Sequence, residues 1–256
     1  MEVHNHTHTP RKKFTHYLWE FLMLFLAVFC GFLAENIREH QVEHARAKQY
    51  AASLVKDLEN DVIAIRRQNK LNVLYNSIVD SALHLSEGKL EGRAASQFAF
   101  YTRFCYWTAP IVWSRATFDQ VRNSGNLRYF QNYQLLKDLV EYDGILTRVR
   151  AEADAHGIRG NKMLETINEI LEPQMNYQLS KYYIYDLDTM SQATKDNFFS
   201  MSNPSLENKR TQVTQLLNMA IVQQRNLRNN NAGTHKLAET LALKLIEELK
   251  EEYHLK

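Results

Sequence analysis

The chain has 256 residues, 45% of them apolar and 23% charged, with a formal net charge of +2. That length and apolar content support one large domain or two small ones, and exclude a disordered or collagen-like chain. Glycine (8) and proline (4) fall to less than half of ordinary usage, roughly 12%. The scarcity argues against a turn-rich β fold or a doubly wound fold with a phosphate loop, and for long helices. Without a Lys or Arg run to neutralise phosphates, nucleic acid is not the expected partner. Two cysteines, Cys30 and Cys105, make neither a disulfide framework nor a cysteine-based zinc site.

Residues 1–13 (MEVHNHTHTPRKK) read as a short polar tail ending in Arg11, Lys12 and Lys13. His4, His6 and His8 alternate within it, a pattern that binds metal only loosely. Phe21 to Ala34 then carries no polar side chain except a thiol. Fourteen residues rise only ~21 Å, short of a ~30 Å hydrocarbon core, and the flanks supply the remainder. The predicted membrane helix therefore covers 14–37. Tyr17 and Trp19 sit at the interface, and Phe21, Leu24, Phe25, Val28, Phe29, Phe32 and Leu33 face lipid. Glu20 lies close enough to the end of the span to reach headgroups. The basic cluster before the span predicts a cytoplasmic N-terminus and an extracytoplasmic domain over 38–256. Cleavage after Ala34 would place bulky Phe32 where a signal peptidase needs a small residue, so the segment reads as a retained anchor.

From Phe32 to Glu87 there is neither glycine nor proline. Ala51, Val55, Leu58, Val62 and Ile65 step by four and three, a heptad-like stripe that continues onto Asn69, Asn72 and Asn76 before turning apolar again at Val79 and Leu83. The expected fold is all-α: the membrane helix continuous with a stalk helix over 38–86, then a helical bundle over 93–256. Within the bundle, Ala94–Trp107 predicts an aromatic-rich helix closed by Pro110. Ser114 or Thr117 is placed to cap a short helix that Gly125 ends. A long helix from Tyr129 to Ala155 is expected to break at His156, Gly157 and Gly160 and to resume over Lys162–Leu171. The stretch 174–203, rich in tyrosine, predicts short helix and loop. Asn203-Pro204 reads as a helix start, Asn229–Gly233 as a break, and Thr234 as the cap of a last helix with Leu237, Leu241, Leu245 and Leu249 on one stripe.

Few constellations carry chemistry. His40-Gln41-Val42-Glu43-His44 reads H-x-x-E-H, placing His40 and His44 on one helical face with Glu43 as a general base, the inverted zinc-hydrolase pattern. A third ligand and a cleft are missing, and the surrounding Glu35, Glu39, Arg38 and Arg46 describe a solvated helix held by i,i+4 pairs. No nucleophile elbow, P-loop or dinucleotide fingerprint occurs, and no cofactor is implied. Asp57, Glu59 and Asp61 read as surface charge, and Cys105, among aromatics, as an inert buried thiol. The aromatics Phe98, Phe100, Tyr101, Phe104, Tyr106, Trp107, Trp113 and Phe118 serve either as core or as a ligand pocket. Tyr177, Tyr182, Tyr183 and Tyr185 are expected to cover the bundle's end, with contact to a partner or a glycan as the alternative.

The segments FLMLFLAVFCGFLAENIREH, YAASLVKDLENDV and TFDQVRNSGNLRYFQN resemble a family of bacterial single-pass membrane proteins of unknown function. The pattern "SL..DL..D" falls on Ser53, Leu54, Asp57, Leu58 and Asp61, and "L..SG.LR" on Val121, Ser124, Gly125, Leu127 and Arg128, with valine for the usual leucine. The resemblance covers residues 17–135 and implies an inner-membrane protein with an extracytoplasmic helical domain; it brings no catalytic residue. The expected function is a membrane-anchored, non-enzymatic interaction or scaffold module, its partners the bilayer and either another protein or a second copy of itself. A sensory or ligand-binding bundle working through a partner, and a zinc hydrolase using His40, Glu43 and His44, are the rival expectations.

Overall fold

A computed structural model describes residues 14–107 and 110–255, and every regular element among them is helical. The tail, with its three histidines and with Arg11, Lys12 and Lys13, lies outside the described residues. Helix α1 runs Phe14–Ser86 over 73 residues, as the glycine- and proline-free sequence requires. The chain divides into two compact units within that helix, Met1–Tyr50 and Ala51–Lys256. In the first, an 18-residue window has a mean hydropathy of 2.0 and none of it is buried. Tyr17, Trp19, Phe21, Leu24, Phe25, Val28, Phe29, Phe32 and Leu33 are all exposed. Phe21, Phe25 and Phe29 stack in succession along one face, with ring centroids 6.3 and 5.9 Å apart. This helix is long and apolar enough to cross a membrane.

In the second unit the heptad stripe of α1 is buried at Ala51, Val55, Leu58, Val62 and Ile65. Beyond Asn72 it passes to Tyr75, Ile78, Val79 and Ala82, leaving Leu83 exposed. Around it are wound α2 (Gly92–Thr102), α3 (Ala116–Asn123), α4 (Tyr133–Ile170), α5 (Pro173–Leu179), the single turn α6 (Asp186–Thr189), α7 (Gln192–Ser200), α8 (Arg210–Asn230) and α9 (Lys236–Glu252). The aromatic core lies where α2 meets α7: Phe100 is fully buried with Phe104, Phe198 and Phe199 at centroid distances of 5.3–5.8 Å. Rings in mutual contact at those distances fill the space that a ligand pocket would need.

Several boundaries differ from the sequence expectation. Helix α2 stops at Thr102, and its aromatics continue through turns at Arg103–Tyr106. The expected break at His156–Gly160 is absent, and α4 is one helix of 38 residues, capped by the Asn132 side chain, which accepts from the amides of Gln134 and Leu135. Two helical glycines cost only about 1 kcal/mol each, a penalty that packing readily outweighs. Asn203 starts no helix; it is buried and accepts from the Glu172 amide at 3.1 Å, at the head of α5. Nor does the chain break before Thr234: a π turn over Asn231–His235 joins α8 to α9 with helical dihedrals on both sides. On α9 the buried face is Ala238, Ala242, Leu245, Ile246 and Leu249, with Leu237 half exposed.

Gly125 does occupy the left-handed region, at φ 72°, between α3 and a 3-10 turn at Asn126–Tyr129. Gly125→Val is expected to lower stability by about 1 kcal/mol or more through backbone strain alone, because nothing lies within 4 Å of its added Cβ. The denaturant midpoint of the full chain in detergent checks this, with Gly144→Ala as the unstrained comparison.

Candidate functional site

The π turn sits over the most polar part of the interior. Asn69 and Asn72 on α1, placed where the heptad stripe turns polar, meet Asn231 and His235 of the turn. Asn72 Nδ2 donates to Asn231 Oδ1 at 2.6 Å, Asn231 Nδ2 to the Asn69 carbonyl at 3.3 Å, and His235 Nδ1 lies 2.7 Å from Asn69 Oδ1. From α4, His156 places Nδ1 at 3.3 Å from Gln223 Oε1 and Nε2 at 3.3 Å from Asn230 Nδ2. Arg159 donates to the same Gln223 oxygen at 2.9 Å, and Thr234 donates to Glu152 Oε1 at 3.1 Å. A small cavity of about 30 Å³ opens between these groups, lined by Gln68, Asn72, His156, Asn230 and His235 on its polar side and by Ile111, Val149 and Leu227 on the other. Two buried atoms beside it, Gln223 Nε2 and Glu152 Oε2, have no protein partner. Orphaned donors and acceptors are costly in an interior, and π turns recur where function retains such a cost.

Burial holds the His156 imidazole below the usual histidine value, and the Arg159 guanidinium lowers it further; burial does the same for His235. Glu152 opposes the shift at both rings, and the rings oppose each other's protonation at His235. Both are therefore neutral near pH 7. The chamber is lined by neutral imidazoles and carboxamides, a set suited to hydrogen-bonding, in a space with room for little more than a water molecule.

The sign of the pH dependence follows. Unfolded, each imidazole takes up a proton near 6.5; folded, it does so only at lower pH. Stability is expected to fall as pH drops below about 6.5, and the double variant H156Q/H235Q to flatten that slope. Denaturant midpoints at pH 7.5 and 5.5 measure it.

A second buried polar group joins the two sequence patterns singled out above. Asp57 and Asp61, four residues apart, face the start of α3. Asp61 Oδ1 accepts from the Ser114 amide at 2.7 Å and Oδ2 from the Tyr142 hydroxyl at 3.0 Å, while Asp57 Oδ2 accepts from the Thr117 amide at 3.2 Å. Arg115, the residue before α3, makes no cap of its own, so α1 supplies the missing acceptors across space. Arg115 instead pairs with Asp143 and Asp119. Asp57 and Asp61 are thus not free surface charge: Asp61 is 2% exposed.

The remaining expected residues stay apart. His40 and His44 are exposed, and His40 Nδ1 lies 3.9 Å from Glu43 on its own helix. No group of three His, Cys, Asp or Glu side chains among the described residues is placed to hold a metal ion. Cys105 is fully buried, its thiol pushed up to about 12 by burial, and its carbonyl accepts from Tyr75 at 2.9 Å. Local sequence pattern does not reveal the His156–His235 chamber; its one trace is the asparagines recurring on an otherwise apolar stripe. No family model, curated protein or solved structure matches the chain.

Proposed function

We propose that this chain is a membrane-anchored, non-enzymatic helical module of the cell envelope, presenting its helical domain to a protein partner or a second copy. The observation that carries this reading is the uncovered apolar length of α1. An 18-residue window with mean hydropathy 2.0 and no buried residue needs lipid around it, because soluble proteins rarely leave apolar patches of that size in water. The basic cluster Arg11, Lys12 and Lys13 favours a cytoplasmic N-terminus and a domain on the far side of an inner membrane. The resemblance of residues 17–135 to bacterial single-pass membrane proteins accords with that placement. The filled aromatic core and the absence of a third ligand near His40, Glu43 and His44 among the described residues count against the rival readings.

Carbonate extraction and protease treatment of spheroplasts test the reading. Retention in the membrane pellet with loss of the C-terminal region to added protease is expected. Release into the carbonate supernatant, or full protection of that region, would overturn it.

A further inference from the structure

Helix α1 has a second exposed face, away from its heptad stripe. Along it lies an open groove of about 650 Å³ lined by Val73, Leu74 and Tyr185 together with Arg67, Lys70 and Asp188. It adjoins a further hollow of about 400 Å³ through Arg67, Leu71 and Tyr185. The groove has the composition of a binding patch rather than of ordinary surface. Val73 is 62% exposed, and Tyr185 at 40% stacks on Tyr183 with centroids 5.3 Å apart. Aromatic and arginine side chains beside apolar walls are what interface centres concentrate. Arg67 and Lys70 are exposed and carry no ion pair among the described residues, unlike Arg66, which is bound to Glu239.

The complement to this groove is on the same chain. Helix α9 buries one face in its own core and turns another outward, bearing Leu237 at 50% exposure, Leu243 at 41%, and then Glu247 and Glu251. Neither glutamate is paired among the described residues, whereas the neighbouring Glu248 is bound by Lys244. Laid antiparallel with Glu247 opposite Lys70, Leu243 falls at Leu74 beside Val73, and Glu251 falls within one residue of Arg67. Because α9 is held by its inner face, its outer face is open to a different molecule.

We propose that the outer face of α9 docks in the α1 groove of a second copy of this chain. This rests on the interaction-module reading above and names the partner. The two patches differ, so the contact is heterologous and leaves a free groove and a free helix at its ends.

The test uses the full-length protein in its own membranes, with Cys30→Ser to remove the exposed thiol. One tagged copy carries Val73→Cys, a second carries Leu243→Cys, and oxidation reports their contact as a disulfide-linked heterodimer on a non-reducing gel. A heterodimer is expected. R67E/K70E in the groove copy should cut its yield by roughly tenfold, as two lost rim pairs allow. E247K/E251K in the helix copy should do the same, and pairing the two reversed copies should restore it. Unchanged thermal midpoints of the singly reversed proteins exclude unfolding as the cause. No heterodimer, yields indifferent to the reversals, or a crosslink only to a different acidic protein or to none while a glycan probe protects Val73→Cys from alkylation would each overturn the proposal. Carbonate extraction of the same membranes separates the outcomes: a chain that stays in the pellet without forming the heterodimer loses this inference alone.

Discussion

Gly160→Ala is expected to destabilise the helical domain by about 3 kcal/mol, although alanine is the better helix former. A Cβ built on Gly160 falls 2.3 Å from the carbonyl oxygen of Tyr106 and 3.4 Å from its carbonyl carbon. Both are backbone atoms in the turns after α2, so no side chain can swing aside. Relief requires α4 to move away from that segment, loosening Met163, which is fully buried just beyond. Gly157, three residues earlier and on the exposed side, has nothing within 4 Å of its Cβ. Gly157→Ala should therefore stabilise by about 0.5–1 kcal/mol through the ordinary helical preference. Urea midpoints of the two variants in detergent should move in opposite directions. A shift of the same sign in both would show that the approach of Tyr106 to α4 is not tight in solution.

Asp61→Ala is expected to cost about 3 kcal/mol at neutral pH, since it strands the Ser114 amide and the Tyr142 hydroxyl together. The carboxyl itself is under opposing pressures. Burial pushes its pKa up to about 6, with the two hydrogen bonds pulling it back, against an ordinary value of 3.8. A group raised in the folded state stabilises fully below 3.8, and that contribution is lost as pH rises through 6. This slope is opposite to that of His156 and His235, so the three groups partly cancel between pH 4 and 6.5. Asp61→Asn keeps the acceptor while removing the charge, and its penalty should be larger at pH 4 than at pH 8. Equal penalties at the two pH values would mean that Asp61 is not desolvated as the burial implies.

Sequence periodicity carried the helical class, the length of α1 and its buried stripe, because a long run without glycine or proline leaves few alternatives. It failed where one residue serves two competing rules. Gly160 has the local signature of a breaker, but its lack of a Cβ is a packing requirement set by Tyr106, a residue 54 positions away and invisible to local pattern. Asn203 has the chemistry of a cap and acts as one, for the chain entering α5 rather than for its own successor. Asp57 and Asp61 looked like solvated charge because their partners are backbone amides of 114–117, which no side-chain pattern reveals. The chamber around His156 and His235 draws on α1, α4, α8 and the π turn. Only its α1 edge, the asparagines interrupting an apolar stripe, left a trace in the sequence.

The π turn has a mechanical consequence for everything downstream of it. Such a turn holds one residue more than the α-helical pitch accommodates, so it acts as a phase offset between the helices on either side. Winding Asn231–His235 at the regular α pitch with every residue kept would rotate the remainder of the helix by about 100°, and deleting one residue from the turn would cancel that rotation. Under the rotation Ala242, Leu245 and Leu249 would swing out of the interior and a flank of α9 would turn inward in their place. One surplus residue thus indexes which side of the last helix the molecule shows to its surroundings.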